Sequence, residues 1–156
     1  EIYEAQSRGV FLDTAFGRFN FSFDVARRSL DKGILPQIIS TDITKPGRQS
    51  TVFSMVEMLS RFLALGFSLE DVIRMATLNP SKALGMEGII GTLEEGKGAD
   101  ITVLEEVCGD WVFRDTCGET LTGTKALNPV ITIKDGQIFI PDWGPRPWGW
   151  LPELSE

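Results

Sequence analysis

The chain has 156 residues, of which 42% are hydrophobic and 24% are charged, the composition of a folded globular protein rather than a disordered one. Its 15 basic and 22 acidic residues give a formal net charge of -7 without a cluster of Lys and Arg, so we expect neither nucleic acid nor an anionic membrane among its partners. No apolar run approaches the roughly 20 residues that cross a bilayer, and the first residues lack the order of a signal peptide, which predicts a cytoplasmic protein.

The first half alternates short apolar strands with amphipathic helices. Residues 10–12 predict a strand that ends at Asp13, and a polar loop follows it. Ser22 then caps a helix that stops at Gly33. Apolar side chains recur along this helix at helical spacing: Phe23, Ala26 and Leu30.

A second unit of the same kind follows. Residues 38–39 predict a strand that leads into Ser40, Thr41 and Asp42, and a Pro-Gly loop connects it to a helix from about residue 50 to 65. One broad face of this helix is apolar and predicts packing on that side: Val52, Met55, Val56, Leu59, Phe62 and Leu63.

Two shorter helices are predicted next. Ser68 opens a capping box for a helix that runs to about Thr77. Asn79 is a natural N-cap for another helix, with Pro80 in its first turn and Gly85 at its end.

From Gly91 onward the sequence predicts a β-rich module. Short segments enriched in β-branched and aromatic residues alternate with glycine-containing turns. Asp135-Gly136 is a two-residue hairpin signal. Two cysteines, Cys108 and Cys117, lie in this half at a spacing that fits no zinc site, and the chain contains no histidine to complete one. We interpret them as free thiols in a reducing compartment, with a disulfide across a turn as the alternative.

The last residues form a segment rich in tryptophan and proline. Trp143, Trp148 and Trp150 lie among four of the chain's prolines, which predicts an extended conformation. We expect these indoles to dock onto the chain's own body or onto a sister subunit, and a ligand-binding aromatic platform is the alternative.

Strand ends that present polar residues, each followed by a helix, are typical of the active face of a (β/α)8 barrel. Five segments, taken in order, resemble the C-terminal part of the amidohydrolase superfamily, and most of all its dihydroorotase-like and deacetylase-type metallohydrolases. The resemblance covers residues 9–104 and depends on the order of the segments, which read GVFLDTAFGRFNFSF, IISTD, MLSRFLALG, TLNPSKALG and GTLEEGKGADITVL.

This resemblance implies an α/β fold in three parts. Residues 1–88 would form the C-terminal strand-helix units of a TIM-like (β/α)8 barrel, and residues 89–142 part of a small composite β-sandwich. Residues 143–156 form the Trp/Pro-rich tail. Because the sequence lacks an initiator Met and begins as if a helix or loop were already in progress, we expect it to be a piece of a longer protein.

The resemblance also assigns a role to Asp42. In the family, the aspartate of the S-T-D segment after the eighth barrel strand is a metal ligand and proton acceptor. Zinc accepts carboxylate oxygen, and a base near a metal-activated water assists attack on an amide carbonyl. We therefore expect a divalent metal, zinc by preference, and a small-molecule amide substrate. From the residues alone, an aspartate that simply turns the chain after a strand is an equal alternative.

Two departures from the family pattern bear on activity. The family's G-H-G histidine after the seventh strand is matched by Ala15-Phe16-Gly17, and phenylalanine can neither ligate a metal nor transfer a proton. The family's H-x-H pair, lysine and two later histidines match nothing in this chain. Since zinc needs three or four protein donors, we expect the 156 residues alone to be inactive.

Three further residues are candidates for substrate binding. Arg18 and Arg48 each lie in a loop after a strand, where a guanidinium would bind a substrate carboxylate through two parallel hydrogen bonds. Asn20 is a weaker candidate in the first of these loops. The alternative for both arginines is a solvated loop side chain.

Two hypotheses on function follow. The first is the C-terminal part of a metal-dependent amidohydrolase that cleaves amide or cyclic amide C–N bonds. The second is a non-catalytic remnant, an interaction or scaffold module of the same fold. In either case, two barrel strands without neighbours leave open edges and an uncovered apolar helix face, which predicts a homo-oligomer.

Overall fold

The computed structural model describes residues 1–49 and 52–155. The helices are α1 (Ile2–Ser7), α2 (Phe23–Asp31), α3 (Met55–Ala64), α4 (Leu69–Ala76) and α5 (Leu78–Ala83), and a 3-10 turn covers Gly47–Gln49. The strands are β1 (Asp13–Ala15), β2 (Ile38–Ser40), β3 (Ile101–Arg114), β4 (Thr120–Lys134), β5 (Gln137–Phe139) and β6 (Glu153–Leu154). Within the described ranges, no helix combines the length and the apolar character that crossing a membrane requires.

Strands β1 and β2 pair in parallel, with Ala15 beside Ser40 at their carboxyl ends. The predicted position of the second strand is confirmed, whereas the first begins three residues later than the predicted 10–12. The reason is local: the Val10 N–H donates to Ala5 O at the end of α1, and the Val10 side chain is 48% exposed. The chain therefore becomes strand-like only after it has left α1.

Two predicted helix starts agree with the structure, and in both a serine side chain caps the helix. Ser22 accepts the Val25 N–H at the start of α2, as predicted, and Ser68 accepts the Asp71 N–H at the start of α4. For the helix predicted from about residue 50 to 65, residue 50 lies outside the described residues. Residues 52–54 are not helical, so the predicted start is too early: α3 begins at Met55, and Ser54 accepts the Glu57 N–H.

Asn79 is not the N-cap that the sequence predicts. Helix α5 already includes Leu78, and the Asn79 side-chain amide donates to Gln37 O at 2.7 Å. This bond joins α5 to the residue before β2, so the amide serves a tertiary contact instead of a cap. Pro80 does lie in the first turn, and Gly85, with φ +66°, follows the end of the helix as predicted.

The β-rich half forms one antiparallel sheet in the order β5-β4-β3-β6. Asp135-Gly136 is the predicted hairpin turn: Lys134 pairs with Gln137, and both turn residues have positive φ, as a type I′ turn requires. The segments predicted as separate strands fuse into the long β3 and β4, which absorb two register shifts. Since the strands from residues 89–142 all belong to this one sheet, the composite sandwich remains a prediction.

The four-stranded sheet packs on α3. The Leu127 N–H of β4 donates to Ser60 Oγ of α3 at 2.9 Å. Gly123 allows close contact, because a Cβ there would come within 2.7 Å of the Ala64 Cβ. The buried hydrophobic residues form one cluster that joins the β1 and β2 region to the sheet: Phe16, Phe21, Phe23, Ile39, Val52, Met58, Leu59, Phe62, Val72, Met75, Trp111, Phe113, Ala126 and Leu127.

The tail docks onto the chain's own body, but not through the indoles of Trp143 and Trp148. These two side chains are 71% and 52% exposed, and their N–H groups donate to carbonyls of the tail itself. The contact with the body comes from Arg146, which reaches the buried Glu57, and from the pairing of β6 with β3.

Cys108 and Cys117 are free thiols, as predicted, and both are exposed.

Candidate active site

The loops after β1 and β2 meet at the carboxyl ends of the two strands. The strands are parallel and in register, so the residues that leave Ala15 and Ser40 begin side by side. The Gly17 N–H donates to Thr41 O at 3.0 Å and joins the two loops. The next residue, Asp42, has a φ of 44°, in the left-handed region that few residues other than glycine adopt.

Asp42 and Asn20 form a hydrogen-bonded pair at this edge. The Asn20 side-chain amide donates to Asp42 Oδ2 at 2.9 Å, and both side chains are exposed. Among residues 1–49 and 52–155, Asp42 Oδ1 has no hydrogen-bond partner. Gly17 lies beneath the pair: a Cβ there would stand 2.6 Å from Asp42 Oδ2 and 2.7 Å from Asn20 Nδ2. The glycine thus leaves the space in which the pair forms.

The two candidate arginines do not join this pair. The Arg18 guanidinium carbon lies 4.9 Å from the ring centre of Phe19, which is itself 73% exposed. Arg48 is an exposed residue of the 3-10 turn, and its backbone N–H donates to Thr44 O at 2.9 Å. In the described part of the chain, neither guanidinium contacts Asp42 or Asn20. The structure therefore brings together Asp42 and Asn20 but not the arginines.

Phe16, at the position of the family histidine, is a core residue. It is fully buried, its ring stacks on Phe21 at 4.9 Å between centroids, and the Arg61 guanidinium lies 4.0 Å from its ring centre. A cation over an aromatic face is favourable, most of all where water is excluded. This position of the loop contributes to the core rather than to the exposed edge that carries Asp42.

A buried ionic cluster lies under the loop, and sequence reasoning missed it. Glu57 Oε1 pairs with Arg61 at 2.7 Å, and its other oxygen pairs with Arg146 of the tail. Burial lowers the pKa of Arg61; Glu57 opposes this shift, nearby Arg146 adds to it, and Asp115 opposes it again. The spacing of Glu57 and Arg61 on one helix could have indicated the first pair, but nothing local indicates the contact with Arg146, 89 positions away.

The hairpin turn between β3 and β4, residues 115–119, contacts the other end of the same loop. Asp115 is buried and accepts the N–H groups of Phe23, Cys117 and Glu119 at 2.9, 2.8 and 2.9 Å. The turn thereby contacts the start of α2. The sequence of residues 115–119 indicates a turn, but it does not indicate that this turn packs against the start of α2.

The donor set tests whether a metal fits this edge. Asp42 supplies one carboxylate, and the part of the chain that the structure describes contains no group of three His, Cys, Asp or Glu side chains placed to hold a metal ion. Zinc in proteins takes three or four protein donors. The described residues therefore fit a zinc ion only as one corner of a larger site.

Residues 22–139 match the amidohydrolase family, and the chain belongs to that family. A deacetylase of Enterococcus faecalis is 29% identical over 138 residues, which are 88% of this chain and 37% of the relative. An imidazolonepropionase of Geobacillus kaustophilus is 35% identical over 133 residues, or 85% of this chain and 30% of the relative. The resemblance that the sequence segments indicate is thus confirmed.

Solved structures extend the match to the fold. The crystal structure of an adenine deaminase superimposes with a TM-score of 0.84 at 28% identity, over 89% of this chain and 38% of the deaminase. A dihydroorotase gives 0.78 at 26% identity, also over 89% and 38%. The chain is thus a mixed α/β member of this superfamily, and it spans less than two fifths of the length of each of these relatives.

Proposed function

We propose that this chain contributes Asp42, oriented by Asn20, to the active site of a metal-dependent hydrolase that cleaves C–N bonds in amides or cyclic amides. The observation that carries the proposal is the exposed pair at the carboxyl ends of β1 and β2, with Asn20 on one carboxylate oxygen. The relatives support the class of reaction, since deacetylases, imidazolonepropionases, adenine deaminase and dihydroorotase all hydrolyse C–N bonds.

We assign separate tasks to the two oxygens of Asp42. Asn20 donates to Oδ2 and fixes the plane of the carboxylate, so that Oδ1 is the oxygen that ligates or accepts a proton. A divalent metal, zinc by preference, would supply the acidified water that attacks the amide carbonyl. Asp42 would take the proton from that water and pass it toward the departing nitrogen.

Arg48 and Arg18 are the proposed contacts to the substrate. Both are exposed and lie in the loops that follow β2 and β1, the loops that carry Asp42 and Asn20. A guanidinium in either loop would bind the carboxylate of an N-acyl amino acid or of a cyclic ureide with two hydrogen bonds. The substrate class is therefore a small amide with an acidic group.

The remaining metal ligands would come from polypeptide other than these 156 residues, which alone would not hydrolyse an amide. The difference in length between the chain and its relatives supports this division.

We also propose self-association, supported by an apolar groove beside α4 and α5 whose exposed lining includes Leu84, Leu93 and Ile140. The free thiols of Cys108 and Cys117 support a cytoplasmic location.

A chimera tests the proposal. The segment of the Enterococcus faecalis deacetylase that matches this chain is replaced by the chain, and metal content and hydrolysis of N-acyl amino acids and cyclic ureides are measured. The chimera should contain metal and hydrolyse at least one of the panel, whereas the 156-residue chain alone should do neither. The unaltered deacetylase is the positive control.

A scaffold without catalysis is the second candidate, and the burial of Phe16 favours it, because the position at which the family has a histidine supplies only packing here. It predicts a chimera that melts cooperatively, yet contains no metal and hydrolyses nothing. That result would contradict the enzymatic proposal.

A further inference from the structure

A turn of the four-stranded sheet contacts the backbone next to Asn20. Thr116, in the turn between β3 and β4, lies against Phe21, the residue that follows Asn20. The Thr116 N–H and hydroxyl donate to Phe21 O at 3.2 and 2.6 Å, and the Phe21 N–H donates back to the hydroxyl oxygen at 3.3 Å. One residue of the sheet therefore serves both backbone groups of Phe21.

We propose that Thr116 is a positioning residue for the Asp42–Asn20 pair, so that the sheet sets the geometry of a site that it does not enter. The catalytic meaning of this inference rests on the proposed function, whereas the contact and its effect on the pair do not.

The hydroxyl of Thr116 has to donate and accept at once. Only Ser and Thr present a donor and an acceptor on one atom at this distance from the backbone. A valine has nearly the same shape but would leave the Phe21 N–H without its acceptor, and Phe21 is only 4% exposed. The backbone would then have to shift to reach water.

A shift of Phe21 reaches Asn20 directly. The loop between β1 and α2 is fixed in the core at Phe16, under which Arg61 lies, and at Phe21, which stacks on Phe16. Asn20 lies next to the second of these points, and its N–H donates to Phe16 O at 3.2 Å. Because such bonds span only about 2.7–3.2 Å, a backbone movement of about half an ångström along the bond would stretch the 2.9 Å contact of Asn20 with Asp42 beyond this range.

The turn itself is rigid enough to define that position. Asp115, next to Thr116, accepts the Cys117 and Glu119 N–H groups within the turn, and also the Phe23 N–H at the start of α2. Glu119 adds a bond from the Asp24 N–H at 3.1 Å. The turn is therefore held against α2 independently of Thr116, which keeps the effect of a Thr116 substitution local.

Nuclear magnetic resonance of the 156-residue chain tests the inference through the side-chain amide of Asn20. The variants are Thr116→Val, which removes the hydroxyl, and Thr116→Ser, which retains it. Thr120→Val, an exposed threonine at the start of β4, is the matched control. The Asp42→Ala variant shows where the Asn20 amide resonates without its acceptor.

The Asn20 amide should move in Thr116→Val toward its position in Asp42→Ala, and stay in place in Thr116→Ser and Thr120→Val. An unmoved amide in Thr116→Val would overturn the inference. If Thr116→Val loses its cooperative melt, Thr116→Ala takes its place, since alanine also removes the hydroxyl: a displaced Asn20 amide in a folded alanine variant supports the role of the hydroxyl, and an undisplaced one contradicts it.

The chimera adds a kinetic test. Thr116→Val should lower kcat about tenfold with metal content unchanged, as substitution of groups that orient a metal-ligating side chain commonly does. An inactive chimera would defeat the proposed function but leave the resonance test intact. An active chimera that Thr116→Val does not affect would defeat the positioning role alone.

Discussion

The loops after β1 and β2 and the buried cluster of Glu57, Arg61 and Arg146 both place carboxylates beside nitrogen donors, yet in opposite surroundings. In the loops, Asp42 and Asn20 are exposed and share one hydrogen bond. In the buried cluster, Glu57 and Arg61 are 4% and 2% exposed, and each oxygen of Glu57 faces a guanidinium. The buried carboxylate is paired within the chain, whereas Asp42 is exposed to solvent.

The difference in burial separates a carboxylate that stabilises the fold, Glu57, from one that can bind a ligand, Asp42. A buried charge is costly unless charged partners and hydrogen bonds compensate it, so the cluster can change little without loss of stability. An exposed carboxylate costs little and can bind a ligand. Substitutions at the two sites should therefore differ in their cost to stability.

Glu57→Ala removes the compensation at the buried site. Arg61 and Arg146 would then face each other without their shared carboxylate, and we expect a loss of about 3–5 kcal/mol in the free energy of unfolding. Glu70→Ala is the matched control, because Glu70 and Arg74 have the same helical spacing but side chains that are 79% and 51% exposed. It should cost less than about 1 kcal/mol. Urea denaturation measures both, and equal losses would contradict the contrast.

Arg146→Ala releases the tail while leaving Glu57 paired with Arg61. The Arg146 side chain is 11% exposed, and its guanidinium also lies 4.3 Å from the ring centre of Phe53. We expect a loss of about 2 kcal/mol and faster chymotrypsin cleavage in the tail. Arg114→Ala, which removes an exposed pair with Glu153, should change neither. A tail equally resistant in both variants would show that Arg146 does not hold it.

Gly17→Ala tests the exposed site. At φ +55°, a side chain costs about 1–2 kcal/mol, and its Cβ would also displace Asp42 and Asn20. Gly33→Ala carries the same backbone strain at φ +71° with nothing within 4 Å of the added carbon. The two variants should lose similar stability, but only Gly17→Ala should shift the Asn20 side-chain amide resonance. A shift in both would mean that strain, not contact, moves the pair.

Asp100 gives the smallest effect, one that depends on pH. It accepts the Asp135 N–H at 2.9 Å and also faces Lys134, and these contacts lower the pKa of the Asp100 carboxyl. Its stabilising contribution is therefore complete above the unfolded-state pKa and is lost as the pH falls through the lower folded-state value. The difference in melting temperature between wild type and Asp100→Asn should shrink on acidification. A difference independent of pH would rule out this carboxylate as its source.

The features of the fold that the sequence predicted correctly depend on contacts between residues close together in the chain. Ser22 and Ser68 cap helices with their own side chains, and Asp135-Gly136 closes a two-residue turn. In each of these contacts the two partners lie within a few residues of each other, so a short stretch of sequence is enough to predict the contact. The predictions for the first strand and for the Asn79 cap were wrong because other partners, Ala5 and Gln37, bind the backbone or side-chain group concerned.

The contacts within the candidate site could be predicted only in part, because they join residues that are far apart in the chain. The resemblance singled out Asp42, and the expectation that Phe16 adds no polar group agrees with its buried packing. The pairing of Asp42 with Asn20 joins loops 22 positions apart, and Thr116 contacts Phe21 from 95 positions away. Such contacts depend on the relative positions of β1, β2 and the sheet. Those positions cannot be predicted from the spacing of residues in the sequence.

Hydrolysis by the chimera with Asp42→Ala decides whether this carboxylate acts in the reaction. If Asp42 is the proposed proton acceptor, it should be worth about 10²–10⁴-fold in kcat, and its removal should also lower metal content. Asp31→Ala, at the exposed end of α2, should behave as the unsubstituted chimera does. Full hydrolysis and full metal content in Asp42→Ala would contradict the account.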